Sequence, residues 1–207
     1  MANHSTLRGY AEKFESDRSS LPQNLVLTHT ETSLTVSDKY RKAEYHLLVL
    51  PRIRADSEFS GDDLKDLQTL LAKGKKAEAK TLIEKLKKDA KAVKRIVEGR
   101  MFKAKGKKWV VWIGFHLVPT ERYVRGSWRR TTRAPARFLM ITEPSYPFSH
   151  LHLHVISSDF RFLDKGKQYN KYHPKLGFFL HINEVLSWFK DDTSFERKVT
   201  IPCVGSR

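Results

Sequence analysis

Short apolar segments with two different periods follow one another along the N-terminal half of the chain. Apolar residues recur at spacings of three and four over residues 6–14, which predicts a short helix. Three compact apolar runs follow at residues 25–28, 33–36 and 45–50, and Pro51 stops the last of them. Runs of this length between turn residues are typical of strands. Three strands in succession favour an antiparallel meander.

Two helical patterns come after these predicted strands. Ser60 and Asp63 have the spacing of a capping box, which predicts that a helix begins at this point and ends near Gly74. A second helix is predicted over residues 82–97, because apolar residues lie at helical spacing there and lysines surround them. Amphipathic helices next to a meander predict helices packed against a sheet.

The C-terminal half contains two further predicted strands, at residues 109–113 and 151–157. Between them, residues 120–148 hold six arginines and show neither strand nor helix periodicity, so they predict a large loop, which is unusual inside a compact domain. Residues 178–188 are of mixed apolar character. Together the patterns predict an α+β fold, with a mainly antiparallel sheet of about five strands and flanking helices.

Length and composition limit the classes of protein that fit these elements. The 207 residues suit one domain, and with 40% hydrophobic residues the chain can bury a core. No run approaches about 18 apolar residues and the first residues do not resemble a signal peptide, so we expect neither a transmembrane nor a secreted protein. The single cysteine, Cys203, excludes an internal disulfide and a multi-cysteine zinc site, and it fits a reducing compartment.

The chain is strongly basic, with 39 Lys and Arg against 23 Asp and Glu and a formal net charge of +16. Residues 73–108 hold 15 of the basic and four of the acidic residues, so +11 of this charge lies in one segment. Such an excess predicts a polyanionic partner. Nucleic acid is favoured over an anionic membrane, because only one segment is both amphipathic and basic. The alternative is that these lysines only form a solvated helix face.

Histidines are concentrated in the C-terminal half of the chain. Four of the nine lie within 39 positions, namely His116, His150, His152 and His154. The last three alternate with aliphatic residues, and because side chains in a strand repeat every two residues, their imidazoles project from one face. Burial of adjacent imidazoles costs free energy unless each has a partner, so stability alone does not account for them.

Three interpretations of the histidines compete: an exposed polar face, a metal site and a catalytic site for chemistry at phosphorus. No HExxH helix or facial carboxylate pattern accompanies them, and Cys203 is remote in sequence, which disfavours a metal site. A neutral imidazole can attack phosphorus and form a phosphoramidate, while neighbouring imidazoles orient it and protonate the leaving oxygen. We therefore expect nucleophilic catalysis at phosphorus with no cofactor.

Two sequence blocks carry a family resemblance. Residues 150–156 read His-Leu-His-Leu-His-Val-Ile and resemble the signature of the histidine-triad superfamily. Residues 38–51 resemble the nucleotide-binding hairpin of one of its branches, the aprataxin family. Shorter matches to that family lie at residues 114–116, 157–160 and 165–170. The resemblance covers residues 6–203 and is interrupted by the arginine-rich loop.

This resemblance implies a histidine-triad fold and a nuclear DNA-repair hydrolase. The implied reaction removes AMP from the 5′-adenylated DNA ends that abortive ligation leaves, as in single-strand break repair, so DNA is the implied partner and AMP a product. The implied organisation is a helix and loop at residues 1–24, a catalytic domain at 25–203 and a tail at 204–207. Two alternatives stay open: a general hydrolase of nucleoside phosphoramidates or dinucleotides, and a DNA-binding module with an impaired site.

The resemblance also implies roles for individual residues. His152 is the implied nucleophile, His154 would orient and support the phosphate, and His116 would stabilise the transition state or protonate the departing DNA phosphate. His150 completes the implied catalytic set. The implied nucleotide-binding residues are Asp38, which would hold the ribose hydroxyls, and Lys42, His46, Thr120, Ser149 and Lys167. The implied DNA-binding residues are Arg52, Arg54 and Arg161 along the backbone, and Tyr10 and Phe14 stacked on the terminal base pair.

Several of these residues have a purely structural alternative. Lys42 and Arg52 fit solvated surface charges as well as ligand contacts. His46 stands next to an apolar run and fits a hydrogen-bonded core histidine. Tyr10 and Phe14 lie on the apolar side of the first predicted helix, where they fit the core as well as a stacking role.

The chain departs from the family pattern in an insertion and near its end. Residues 121–147 are inserted where the family has a short turn with a phosphate-binding serine, and Thr120 or Ser145 would replace that serine. One hypothesis is that the insertion is a translated retained intron, which transcript sequencing would test. Ser206 follows Cys203 where the family's zinc finger has its second cysteine, so no zinc finger is expected.

Overall fold

The computed structural model describes residues 7–116, 150–162 and 179–199. The strands are β1 (Val26–His29), β2 (Ser33–Ser37), β3 (His46–Pro51), β4 (Val111–His116), β5 (Leu153–Ser157) and β6 (Phe179–His181). They form one antiparallel sheet in the order β1-β2-β3-β5-β4-β6. The helices are α1 (Leu7–Ser16), α2 (Leu67–Ala72), α3 (Lys76–Lys105), α4 (Ile182–Ser187) and α5 (Asp192–Val199). None of these helices is long and apolar enough to cross a membrane.

The register of the central strands collects the histidines on one face of the sheet. β5 lies between β3 and β4, and both Leu48 and Gly114 stand opposite His154. Opposite residues, and every second residue along a strand, share a face. The side chains of His46, His116 and His154 therefore project from the same face, which we call the histidine face.

Two helices cover opposite sides of the sheet. α3 packs on the other face, which we call the helical face, through a stripe of buried side chains at spacings of three and four. This stripe consists of Ala79, Ile83, Leu86, Ala90, Val93, Val97 and Met101. α1 packs on the histidine face, where Leu7, Ala11 and Phe14 join Leu34 and Leu48 in a separate core cluster. The sheet thus separates α3 from the histidines.

The structure confirms the two main helix predictions and extends one of them. α1 covers the predicted segment at residues 6–14, apart from its first position, and α3 contains the whole predicted segment at residues 82–97. Gly74 has a φ of 73°, the left-handed conformation that ends a helix, as expected. α3 ends in the same way at Gly106, whose N–H donates to the carbonyl of Phe102 at 2.9 Å.

The predicted start of α2 at Ser60 is wrong. The expected reciprocal hydrogen bonds do form, since the Ser60 N–H donates to the Asp63 carboxylate at 3.0 Å and the Asp63 N–H donates to the Ser60 hydroxyl at 3.3 Å. They close a turn rather than a helix. The helix begins after Asp66, whose carboxylate accepts from the Thr69 N–H at 2.7 Å and provides a second N-cap.

The five predicted strands are confirmed, and the described residues add a sixth. β6 has only three residues and lies inside the segment of mixed apolar character, where so short a strand leaves no period to recognise. The α+β fold class is confirmed. Several predictions lie outside the described residues: the insertion at residues 121–147, the tail at residues 204–207, and the site residues Thr120, Ser149 and Lys167.

Candidate active site

Four histidine rings meet on the histidine face, with His154 at their centre. The centroid of the His154 ring lies 4.5 Å from that of His116, 4.9 Å from that of His152 and 5.1 Å from that of His46. His154 and His46 are 1% exposed, whereas His152 is half-buried. Three of the four predicted histidines therefore meet here, and His46 is the fourth ring, whereas the ring of His150 is directed to Pro51. His116 is half-buried as well, so His152 and His116 are the members of the cluster that a substrate can approach.

A backbone hydrogen bond sets the tautomer of His152. Its Nδ1 lies 2.7 Å from the carbonyl oxygen of His150. A carbonyl oxygen can only accept, so Nδ1 carries the proton and donates it. In the neutral ring the lone pair then lies on Nε2, which is the form of imidazole that acts as a nucleophile.

His150 is a positioning residue in this structure. Its Nε2 donates to the carbonyl oxygen of Pro51 at 2.8 Å, so its own carbonyl is anchored where it meets His152. Its buried Nδ1 has no hydrogen-bond partner among the described residues. Burial lowers the pKa of His150 to about 4, so the ring is neutral at neutral pH. Its ring is aimed at the end of β3, which favours this role over the catalytic one implied by the resemblance.

The low pKa of His150 predicts that the protein loses stability in mild acid. An unfolded chain binds this proton near the ordinary pKa of 6.5 and the folded chain only at about 4, so the folded state is destabilised as the pH falls between these values, by about 3 kcal/mol. His150→Gln keeps an amide donor for Pro51 and removes the titrating ring. We expect its free energy of unfolding to change less with pH over this range than that of the wild type.

Denaturant titrations at a series of pH values measure this difference. His29→Gln is the control, because His29 is exposed on β1 and is remote from Pro51. A hydrogen bond from Lys73 lowers the pKa of Asp63 to about 2. Asp63 therefore titrates below the pH range of this experiment, which runs from about 4 to 6.5, and does not contribute to the difference. Parallel pH curves for the wild type and His150→Gln would show that His150 is not the titrating group.

A chain of hydrogen bonds runs from the β2–β3 turn to His154. When Nδ1 of His46 accepts the Lys42 backbone N–H at 3.3 Å, the proton of the neutral ring is on Nε2, whereas the Asp38 carboxylate at the same distance from Nδ1 favours the protonated, charged ring. That Nε2 lies 2.9 Å from Nδ1 of His154 and donates to it. The proton of His154 is then on its own Nε2, which makes this atom a donor suited to a phosphate oxygen.

Asp38 backs this histidine pair. Its carboxylate is 1% exposed, lies 3.3 Å from Nδ1 of His46, and accepts from the Tyr40 N–H at 2.8 Å. A buried carboxylate at this distance stabilises positive charge on the histidines when a proton enters the pair. The structure therefore gives Asp38 an orienting role. The ribose contact implied by the resemblance stays a prediction.

The same three side chains could hold a metal ion. One ligand atom each from Asp38, His46 and His154 lies within 4.8 Å of the others. Nitrogen and carboxylate ligands of this kind suit zinc and similar ions. Nε2 of His46 and Nδ1 of His154 share a hydrogen bond at 2.9 Å, which an ion bound to either of these two atoms would have to displace.

Gly114 and Phe179 bring the edge of the sheet against the histidines. The ring centroid of Phe179 lies 5.5 Å from that of His116 and 6.2 Å from that of His154. A Cβ on Gly114 would lie 2.5 Å from the Phe179 ring and 2.3 Å from the backbone oxygen of Leu180. Only glycine allows β4 and β6 to approach this closely, so Gly114 gives the cluster a tight apolar wall.

The predicted DNA-binding arginines all form ion pairs with carboxylates. The pairs are Arg52 with Glu15 at 2.5 Å, Arg54 with Asp56 at 2.8 Å and Arg161 with Glu44 at 3.0 Å. The first of them ties the residue after β3 to α1, and the hydrogen bond that Arg52 donates to the Glu15 carboxylate raises the pKa of Arg52. The structure thus gives Arg52 a bridging role. Contacts of these arginines with DNA stay predictions, and in such contacts the DNA phosphates would have to compete with the carboxylates for the guanidinium groups.

The predicted stacking residues differ in burial. Phe14 is 4% exposed and packs in the cluster beneath α1, with the Arg18 guanidinium 4.0 Å from its ring centroid, so the structure favours the core alternative. Tyr10 is half-buried against the same cluster, and its stacking role stays a prediction. Lys42 is half-buried, and its ammonium donates to the carbonyl of Tyr40 at 2.6 Å beside the exposed Tyr40 ring.

Sequence reasoning missed two site features. The contact of Phe179 with the histidines depends on β6, which the apolar pattern does not reveal. The contact of Asp38 with His46 depends on the turn between β2 and β3, although a buried-strand histidine eight residues after an aspartate could have suggested it.

No protein-family model and no curated protein sequence matches the chain. Solved structures do match it. The aprataxin ortholog Hnt3 from Schizosaccharomyces pombe has a TM-score of 0.50 at 16% identity, with 93% of this chain and 79% of that chain covered. Hnt3 in complex with DNA has a TM-score of 0.50 at 17% identity over 92% of this chain and 79% of that one. Hnt3 in complex with DNA and guanosine has a TM-score of 0.50 at 16% identity, with 93% of this chain and 81% of that chain covered. The chain thus shares the fold of this aprataxin ortholog.

Proposed function

We propose that this protein hydrolyses AMP from 5′-adenylated DNA ends through a covalent His152–AMP intermediate. The tautomer of His152 is the observation that carries the proposal. Its Nδ1 proton is held by the His150 carbonyl, so the ring presents the lone pair of Nε2 from the accessible edge of a four-histidine cluster.

In the first step, Nε2 of His152 attacks the phosphorus atom of the AMP group. An N–P bond forms, the P–O bond to the DNA phosphate breaks, and its electron pair leaves with the DNA 5′-phosphate. The positive charge that develops on the ring is stabilised by the carbonyl of His150, which still accepts the Nδ1 proton at 2.7 Å. Nε2 of His154 donates to a phosphate oxygen, and His116 protonates or hydrogen-bonds the departing phosphate.

In the second step, water attacks the phosphorus atom of the adenylated histidine. A P–O bond to the water oxygen forms, the N–P bond breaks and its electron pair returns to Nε2 of His152. AMP leaves with the water oxygen and one of its hydrogens, and the other proton is released to solvent. The ring regains its starting tautomer, because the His150 carbonyl has held the Nδ1 proton throughout. Asp38 and His46 keep the donor of His154 oriented in both steps.

Three features support DNA as the carrier of the adenylate. The chain has a net charge of +16, which attracts a polyanion. α1 packs on the histidine face, on the side of the sheet where the reaction would occur. The aprataxin ortholog that shares the fold has been solved in complex with DNA. On this proposal the protein acts in the nucleus, and imaging of a tagged chain would test that location.

Incubation with 5′-adenylated nicked DNA tests the activity. We expect release of AMP and a transient protein species heavier by one AMP, detected by mass spectrometry of the acid-quenched protein. We also expect activity on adenylated DNA to fall at raised salt, while activity on a small adenylate stays constant. The reason is that only the binding of the DNA substrate depends on contacts with a phosphate backbone, which salt weakens. Equal salt dependence for both substrates would favour the general nucleotide hydrolase. Binding of DNA without release of AMP would favour the DNA-binding module with an impaired site.

A further inference from the structure

α3 carries a basic surface that the proposed chemistry does not use. The helix holds 11 Lys and Arg residues against four Asp and Glu, a net charge of +7. Eight of these cationic side chains are exposed, namely Lys80, Lys85, Lys88, Lys91, Arg95, Arg100, Lys103 and Lys105. The apolar stripe of α3 faces the sheet, so the cations are displayed on the rest of the helix surface.

Five of these cations share the arc opposite the buried stripe, and we call this arc the outer face of α3. Its members are Lys85, Lys88, Lys91, Arg95 and Lys103, at spacings that keep them within about one third of the helix circumference. Lys85 and Lys103 are 18 residues apart, which corresponds to about 27 Å. A duplex segment of that length presents about 16 phosphates, so the cations match a repeating anion rather than one ion.

Carboxylates leave this charge largely uncompensated. Two of the acidic residues of α3 are used elsewhere, because Asp89 accepts from Ser33 at 2.7 Å and Glu98 pairs with Lys94 at 3.8 Å. Glu84 is the acidic residue of α3 on the same arc. Within the described part of the chain, none of the five cations of the outer face lies within ion-pair distance of a carboxylate.

The chemistry of the outer face fits a nucleic-acid backbone better than a membrane. A helix that lies on a membrane buries an apolar face there, and the apolar stripe of α3 is already occupied by the sheet. The larger exposed apolar residues of the helix are only Ile96 and Phe102. Gly99 and Ala92 lie between the cations, and a Cβ on Gly99 would have no atom within 4 Å, so a phosphate backbone can approach closely.

We propose that the outer face of α3 is a second DNA-binding surface, which holds the phosphate backbone of a duplex segment other than the one whose end reacts. It lies on the helical face, so the sheet and the width of a helix, about 10 Å, separate it from the histidines. It does not contact the reacting atoms. The inference rests on the proposed function in taking DNA as the polyanion, but its test does not require turnover.

Neutralising the outer face tests the proposal on unmodified duplex DNA. The variant Lys88→Gln, Arg95→Gln, Lys103→Gln removes three charges and keeps residues of good helix propensity. The control Lys105→Gln, Lys107→Gln, Lys190→Gln removes the same charge from exposed positions outside the outer face, which form no ion pair with a carboxylate in the described part of the chain. Circular dichroism verifies the helix in both variants. Fluorescence anisotropy then gives affinity between about 50 and 200 mM salt.

We expect the outer-face variant to bind duplex at least about tenfold more weakly at low salt, and its salt slope to be shallower by about two to three units. The control should change the slope by less than about one unit. Both variants should release AMP from a small adenylate at the wild-type rate. The same DNA affinity and the same salt slope in the outer-face and control variants would overturn the proposal. It would also be overturned if the outer-face variant lost binding to polyglutamate but not to DNA, which would indicate an acidic protein partner.

The two proposals fail separately. Loss of DNA binding in the outer-face variant of a protein that releases no AMP would support this surface and refute the deadenylase. If the protein releases AMP and the outer-face variant binds DNA as the wild type does, the deadenylase is supported and this surface is refuted.

Discussion

His152→Asn is expected to abolish AMP release from 5′-adenylated DNA, with a loss of at least about 10³-fold in turnover. The asparagine amide can donate to the His150 carbonyl in place of Nδ1, so the loop before β5 keeps its hydrogen bond. It has no nitrogen lone pair that can attack phosphorus. The substitution therefore removes the nucleophile and preserves its surroundings, and it separates chemistry from folding.

Three measurements check this expectation. Turnover is followed as AMP release, the adduct by mass spectrometry of quenched protein, and DNA affinity by anisotropy with the adenylated nick. The variant should bind DNA as the wild type does and form no adduct. His29→Ala is the matched control, since it removes a histidine that is exposed on β1, and it should retain full turnover. An adduct that persists in His152→Asn would place the nucleophile on another residue.

Hydrogen bonds to backbone groups determine which nitrogen of each histidine carries the proton, and therefore which role each ring can have. The carbonyl of His150 fixes the proton of His152, and that of Pro51 fixes the proton of His150. The Lys42 N–H fixes His46, and through it the proton of His154. His152 thus carries its proton on Nδ1 and the other three rings carry theirs on Nε2, so position in the fold distinguishes chemically identical side chains.

Much of this site could be predicted from alternation alone. The spacing of His152 and His154 puts both rings on one face of a strand, and the structure confirms that they meet on the histidine face. The tautomers could not be predicted, because they depend on contacts that form only on folding: His152 meets the carbonyl two residues before it, His150 meets the end of β3, and His46 meets the β2–β3 turn. No local sequence pattern indicates which backbone carbonyl will lie next to a histidine ring in the folded chain.

Long-range pairing also explains the other differences from prediction. Glu15 meets Arg52 only when α1 lies across β3, so the sequence shows two isolated charges where the structure has a bridge. β6 is recognised by its partner β4 rather than by its own three residues, which are too few to show a period. The meander and α3, in contrast, have periods of their own and were predicted correctly.

Gly114→Ala is expected to destabilise the protein by about 3 kcal/mol, at the upper end of what overpacking one methyl group costs. The new Cβ would lie 2.3 Å from the Leu180 carbonyl oxygen and 2.5 Å from the Phe179 ring. A ring can move aside, but the Leu180 oxygen is backbone of the paired strand, so β4 and β6 must separate. His116 pairs with Phe179 two residues further along β4, so we also expect AMP release to slow by about tenfold, equivalent to 1.4 kcal/mol.

Gly99→Ala is the matched control, because the same methyl group is added in the middle of α3 with no atom within 4 Å of it. There it should stabilise the protein by about 1 kcal/mol, since alanine is the better helix former. Denaturant unfolding of both variants, with AMP release measured on the folded fraction, gives the comparison. Equal changes in stability at the two glycines would mean that β6 does not press against Gly114, and that the apolar wall of the histidine cluster is looser than the structure has it.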